Sequence, residues 1–201
     1  IFLSSVFLLR DFTNCMPYRC DWAADEYLKK YHDSEWGVPL HDDRKLFEFL
    51  ILDGAQAGLS WSLVLRKRPA YKRAFRNFNP SKMAGFDASD VKRLGKNSGI
   101  IRNSLKIKSA VNNARRFLEI VDEFGSFDRY IWGFVKNETI IHKYKKWKEI
   151  PSHTAESAKM SDDLKKRGFT FVGPTICYAF MQSAGMVNDH VISCFRHNQV
   201  M

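Results

Sequence analysis

The chain has no apolar run long enough to cross a membrane as a helix. It has no internal repeat, no low-complexity stretch and no run of alternating apolar and polar residues. Repeat solenoids and sheet-built domains are therefore poor readings. Cysteine is scarce: four in 201 residues, widely spaced. That is not the dense pattern of a secreted disulfide framework, and a reducing compartment fits better. Acidic residues are also in deficit, with 22 Asp and Glu against 32 Lys and Arg and a formal charge of +10. A basic excess of this size points to a polyanion partner, usually nucleic acid. A basic face dispersed over an ordinary soluble protein gives the same count.

What is present suits one domain. Hydrophobic residues make up 45% of the chain and aromatics 14%, enough to bury a core. The apolar start, Ile1 to Leu9, lacks a basic leader before it and a clear small-residue cleavage site after it. Residues 1–14 are expected to be an N-terminal extension, either disordered or a fragment edge, with no part in the chemistry. Residues 15–201 are expected to form the single domain.

Helical signals run almost throughout. Asp42 and Asp43 can cap a helix from about Arg44 toward Asp53, and Ser60 can cap one that carries Trp61, Leu63, Val64 and Leu65. Asn79-Pro80 marks a turn with proline at the first helical position, and Asp87 can cap a short helix through Val91 and Leu94. Ile107, Ala110, Val111, Ala114, Phe117, Leu118 and Val121 share one face of an amphipathic helix. Phe127 to Phe134, residues 156–166 and residues 174–184 also read as helices. Ile140 to Pro151 is charged and aromatic without a clear period and reads as irregular. Asn188 or Asp189 can cap a last short helix. The expected fold class is all-α.

On that last helix His190 and Cys194 would lie one turn apart on the same face. Such a pair alone is more often packing than ligation. Cys20 and His32 complete a set of two thiols and two imidazoles, the inventory of a closed structural zinc site. Cys177 lies in an apolar helical stretch and reads as a buried small hydrophobe. Cys15 is left over, and His41, His142, His153 and His197 have no partner at ligand spacing.

The run from Leu164 to Thr175 ends one helix and begins another. Gly168 can take the left-handed conformation that stops a helix, Gly173 allows close backbone approach, and Pro174 suits a first helical turn. The second helix would present free N–H groups and a positive dipole end to a phosphate, flanked by Lys165, Lys166 and Arg167. That describes a helix-hairpin-helix gripping one DNA strand. An ordinary helix connection with a solvated basic end fits about equally well. Two other segments, Tyr31 to Pro39 and Asp53 to Trp61, combine aromatics with carboxylates and glycines. Aromatic faces beside a carboxylate can hold a flat cationic ring, although Trp36 and Trp61 also read as core tryptophans.

Taken together the motifs resemble a known family. They are Arg19-Cys20-Asp21-Trp22, Tyr31-His32-Asp33-Ser34-Glu35-Trp36-Gly37-Val38-Pro39, Gln56-Ala57-Gly58-Leu59-Ser60-Trp61, Gly99-Ile100-Ile101-Arg102, Lys165-Lys166-Arg167-Gly168-Phe169, Phe171-Val172-Gly173-Pro174-Thr175 and Val187-Asn188-Asp189-His190. Over about residues 19–196 the chain resembles the DNA-3-methyladenine glycosylase I family of the helix-hairpin-helix superfamily. The resemblance implies an all-α glycosylase fold with the helix-hairpin-helix at about 164–184. It implies a structural zinc held by Cys20, His32, His190 and Cys194, joining the N- and C-terminal segments. Tyr31, Trp36 and Trp61 would shape the base pocket, with Trp61 stacking on the base. Asp53 would bond the base edge, Gln56 and Leu59 would fill the gap in the duplex, and Gly168 to Gly173 would anchor DNA.

This chain departs from the family in having Asp53 where glutamate is usual. The side chain keeps its charge but is one methylene shorter, so its reach falls by roughly one carbon–carbon bond. The loop from Cys20 to His32 is also one residue short, which leaves Tyr27 or Leu28 as the additional pocket residue. The implied reaction is monofunctional: base flipping, release of 3-methyladenine by hydrolysis of the glycosidic bond, no strong aspartate catalyst and no lyase step. The implied partner is double-stranded DNA carrying alkylated bases, met by a monomer in the bacterial cytoplasm away from membranes. The competing reading is a non-catalytic, zinc-stabilised helix-hairpin-helix binding module. It needs no base-sized cavity, and that difference separates the two.

Overall fold

The computed structural model describes residues 18–200, so the extension expected at 1–14 and Cys15 lie outside the described residues. Most of the described chain is helix: α1 (Glu26–Ser34), α2 (Asp43–Gln56), α3 (Trp61–Ala74), α4 (Pro80–Ala84), α5 (Ala88–Lys96), α6 (Ser104–Phe124), α7 (Phe127–Trp132), α8 (Ala155–Lys166) and α9 (Pro174–Ser183). Among the described residues no helix is long and apolar enough to cross a membrane.

The caps explain the boundaries. Asp42 accepts from Lys45 N at 2.8 Å, Ser60 from Leu63 N at 3.4 Å, and Asn79 from Lys82 N at 2.9 Å. Asp87 accepts from both Ser89 N and Asp90 N. Each side chain satisfies a donor that the first helical turn leaves open. Asp25 caps α1, a helix the sequence reading did not assign, and also accepts from the Ser62 hydroxyl of α3.

Every residue of α2 from Leu46 to Ala55 is buried. A helix buried all round belongs at the centre of a fold, and α2 packs against α3, α6, α7 and α9. Its core partners include Phe117, Phe127, Phe180 and Met181. Asp53 and Gln56 therefore sit on the most constrained helix of the molecule. The amphipathic face read at 107–121 is the buried face of α6: Ile107, Ala110, Val111, Ala114 and Phe117 all turn inward.

Two expectations fail at the C-terminal end. Among the described residues no helix follows Asn188. Val187–Asn188 forms a short strand, β2, parallel to β1 (Ile140–Ile141) inside the segment read as irregular. Residues 189–200 then run through successive tight turns, with Cys194 N bonded to Val191 O and His197 N to Cys194 O. His190 and Cys194 thus meet across a turn and not along a helix face. The reason is local: Asn188 spends its side chain on His197 O and His190 N, bonds that fold the segment back on itself.

Candidate base pocket and metal clasp

The cysteines and histidines expected to converge do so. One ligand atom from each of Cys20, His32, His190 and Cys194 lies within 4.8 Å of the others, and all four residues are buried. Cys194 Sγ is 3.4 Å from His32 Nε2 and 3.5 Å from His190 Nδ1, and Cys20 Sγ is 3.7 Å from His190 Nδ1. Standard zinc bond lengths to sulfur and nitrogen give a tetrahedral S···N edge of about 3.6 Å. The donor set and its spacing therefore fit a tetrahedral ion. The outward ring nitrogens are held as well: His32 Nδ1 to Asp33 at 2.8 Å, and His190 Nε2 to Trp36 O at 3.1 Å. Asp33 is itself clamped by Nε and Nη2 of Arg19. These outer bonds leave one ring nitrogen of each histidine free to ligate. The Cys20 contact, and then the two imidazoles, hold the Cys194 thiol far below its ordinary value, and Cys194 pushes Cys20 up.

Beside this cluster lies a cavity of about 270 Å³ walled by Trp22, Tyr31, Trp36, Trp61 and Trp147. Trp22 meets Trp36 edge-on at 4.9 Å, and Trp36 meets His190 at 4.5 Å, so one wall of the cavity leans on the Cys/His cluster. Tyr31 and Trp61 pack at 5.4 Å on the other side. Leu28 lines this cavity, while Tyr27 is exposed at 53%. That resolves the pair left open by the short loop in favour of Leu28.

Asp53 reaches the cavity from the last turn of α2 and is only 2% exposed. Its Oδ2 has no hydrogen-bond partner. Burial drives its carboxyl well above the ordinary carboxylate range, opposed by the Ser183 hydroxyl and by the charge of Arg68. The helix C-terminus is the negative end of the dipole, which further disfavours an anion. Tyr31 is held protonated by burial and then by Asp53, and it donates to Ser183 Oγ at 2.8 Å. Behind the pocket Arg68 binds Glu48 at 2.6 Å and Glu35 at 2.7 Å, tying α3 to α2 and to the end of α1. The indole nitrogens of Trp22 and Trp61 are also buried without partners. The site thus combines aromatic faces with a buried carboxyl that has one oxygen free: the composition of a cage for a flat cation.

Gln56 and Leu59 sit on the turn after α2. Leu59 is 37% exposed and Gln56 lines the cavity mouth. Gln56 Nε2 donates to Leu59 O, and the Lys106 ammonium caps the helix end at Ala55 O and Ala57 O. Gly58, at φ +75°, allows the reversal and leaves Leu59 standing outward.

The hairpin forms as read between α8 and α9, with Gly168 at φ +84°. It is braced from α6: Asn113 accepts from Thr170 N and donates to Thr170 O, both at 2.9 Å, and Asn112 donates to Gly168 O at 2.8 Å. Lys165 and Lys166 are exposed. Arg167 differs from them. Its guanidinium binds Glu123 at 2.6 Å and Asp163 at 2.9 Å and stacks over Phe124 and Tyr130. It stabilises the hairpin's base, and its charge is already matched inside the fold. Gly173 precedes Pro174 at the start of α9, which has no side-chain cap.

Trp147, Gln182 and Ser183 also line the cavity and were not singled out by spacing. Trp147 lies in a stretch without period. Gln182 and Ser183 lie at the end of an apolar helix that reads as core.

A mostly helical scaffold holding a base-sized aromatic cage, a wedge-like turn and a braced hairpin is the build of a DNA base-excising protein. The comparisons with known proteins name the group: a profile of the methyladenine glycosylase family matches residues 22–197, and the chain belongs to that family. DNA-3-methyladenine glycosylase 1 of Escherichia coli (strain K12) is 46% identical over 177 residues, covering 88% of this chain and 95% of that protein. A crystal structure of 3-methyladenine DNA glycosylase I superposes with a TM-score of 0.87 at 47% identity, covering 89% of this chain and 98% of the other. A further structure, a variant of such an enzyme in complex with 3-methyladenine, gives a TM-score of 0.84 at 34% identity, covering 86% and 92%.

Proposed function

We propose that this chain is a monofunctional DNA glycosylase that releases 3-methyladenine from alkylated duplex DNA by hydrolysis. The observation that carries this reading is the buried Asp53 carboxyl inside an aromatic cage, its Oδ2 without a hydrogen-bond partner. A neutral ligand gives that carboxylate no reason to ionise. A cationic base does, and it also gains from the π faces of Trp61 and Tyr31. At contact distance a full charge pair at an effective dielectric of 20 is worth about 4 kcal/mol.

Removing the base from the stack costs a few kcal/mol. Leu59 would wedge the gap, Gln56 would fill it, and Lys165, Lys166 and the α9 N-terminus would grip the backbone phosphates. Gly168 and Gly173 would let that backbone come close. Trp36 would form the pocket wall. Alkylation leaves the base positively charged and a good leaving group, so the pocket has only to hold the cation while water attacks the sugar carbon. The glycosidic electron pair stays with the departing base, and the water proton is lost to solvent. Ser183, between Tyr31 and Asp53, would orient the shortened carboxylate and make up part of its lost reach. The reading takes the enzyme as a monomer that works where bacterial DNA lies, in the cytoplasm.

Cys20, His32, His190 and Cys194 would hold a structural zinc ion, a choice supported by the Cys2His2 donor set and its spacing. When bound, zinc would supply cross-linking of the chain ends and no chemistry at the base. Incubation with methylated duplex DNA, followed by chromatography of released bases, tests the reading. A peak of free 3-methyladenine is expected, and no released base would reject it.

A further inference from the structure

The segment after β1 carries four lysines, Lys143, Lys145, Lys146 and Lys148, against a single Glu149. All four are exposed. Among the described residues their ammonium groups make no ion pair, and Glu149 turns its carboxylate to the backbone N–H of Lys145 (2.8 Å) and Lys146 (3.3 Å). The residues between the lysines are anchors. His142 Nδ1 is bonded to the buried Asp189 at 2.6 Å, Tyr144 O accepts from Ile192 N at 2.9 Å, and Trp147 packs on Trp22 and Trp36. The lysines are thus presented from a backbone fixed at three points.

A second cavity, about 360 Å³, runs beside the base cavity and shares Gln56, Trp147, Ala179 and Gln182 with it. Gln56 to Gly58 form one wall, the first half of α9 lies along it, and Trp147, Ile150, Pro151 and Ser152 close the other side. The shared residues make the two cavities neighbours, so a strand that delivers a base into the first has this cleft beside it. We propose that the segment from Lys143 to Lys148 is a second DNA-contact surface, separate from the hairpin, whose lysines take phosphates flanking the extruded nucleotide while Trp147 fixes the segment to the pocket wall. The proposal rests on the reading of the chain as a DNA glycosylase. A phosphate backbone is the occupant that four unmatched cations beside a base-sized opening fit.

The test uses the full chain with Lys143→Gln, Lys145→Gln, Lys146→Gln and Lys148→Gln together. The comparison variant changes Lys82, Lys92, Lys96 and Lys159 to Gln, four exposed lysines that line neither cavity. Duplex binding is measured by fluorescence anisotropy across a salt series, and base release under saturating DNA. Each phosphate contact contributes roughly 0.9 to the slope of log affinity against log salt. The loop variant is expected to bind at least about tenfold more weakly at low salt, with its slope reduced by about 2 to 4, and to release base normally once saturated. An unchanged affinity and slope, or an equal loss in the comparison variant, would overturn the proposal. Failure of the glycosylase reading shows separately, as a wild-type chain that releases no base.

Discussion

Cys194→Ala tests the metal clasp, and the structure sets the size of the effect. Cys20 and His190 are 170 residues apart in sequence, yet their ligand atoms lie 3.7 Å apart. In the chain-entropy relation, closing a loop of that length restricts the unfolded state by about 5 kcal/mol. A domain's whole stability is about 5–15 kcal/mol. For a chain of this size 1 kcal/mol corresponds to about 2–4 °C in Tm, so losing the clasp should lower Tm by about 10–20 °C. The assay is elemental analysis of purified protein, expected to give about one zinc per chain, with thermal melts followed by circular dichroism with and without a chelator. The Cys194→Ala chain should melt early, be indifferent to chelator and, where still folded, keep its choice of base. A metal-free wild type that melts at the same temperature with chelator would refute the reasoning. So would a variant within about 3 °C of wild type by the same scale.

Other consequences follow from single side chains. Asp53 holds its proton in the fold far above the pH at which the unfolded chain loses it. Its favourable contribution to folding is therefore complete below pH about 3.9 and is lost as pH rises toward the folded value. Asp53→Asn should raise Tm at neutral and alkaline pH, with the gain vanishing near pH 4; a lower Tm at every pH would contradict this. In the wild type, kcat/KM for excision should rise with pH as Asp53 ionises, and a profile that falls over that range would count against the carboxylate. Arg167→Ala should lower the urea midpoint, because it removes the stack on Phe124 and Tyr130 together with the partner of Asp163 and Glu123; an unchanged midpoint would contradict this. Lys165→Ala with Lys166→Ala should leave stability within about 0.5 kcal/mol and flatten the salt dependence of DNA binding. Leu59→Ala should be equally neutral for stability but slow excision from duplex more than from single-stranded DNA. Equal slowing on both would remove the wedge role.

The helices were legible where cap and period agree. Asp42, Ser60, Asn79 and Asp87 mark starts that the hydrogen bonds reproduce, and the face at 107–121 is the buried face of α6. The C-terminal segment was not legible, because its shape depends on long-range partners: β2 exists only through β1, and the turn at 190–194 through Asn188. Propensity sees neither. The four candidate metal ligands could be picked out by residue type and by the family motifs, although the helix invoked to align two of them is absent. The pocket was half legible. Asp53, Tyr31, Trp36 and Trp61 stand in dense motifs, but Trp147, Gln182 and Ser183 reach the cavity only through folding. Arg167 shows the opposite limit: a basic residue in a basic run whose charge the fold matches internally.

The most direct test is single-turnover release of 3-methyladenine from a duplex carrying one such base, by wild type and by Asp53→Asn. Both proteins would first be shown folded by circular dichroism. The caged carboxylate predicts a loss on the order of a thousandfold in the variant, the equivalent of about 4 kcal/mol. Excision by Asp53→Asn at the wild-type rate would contradict the account.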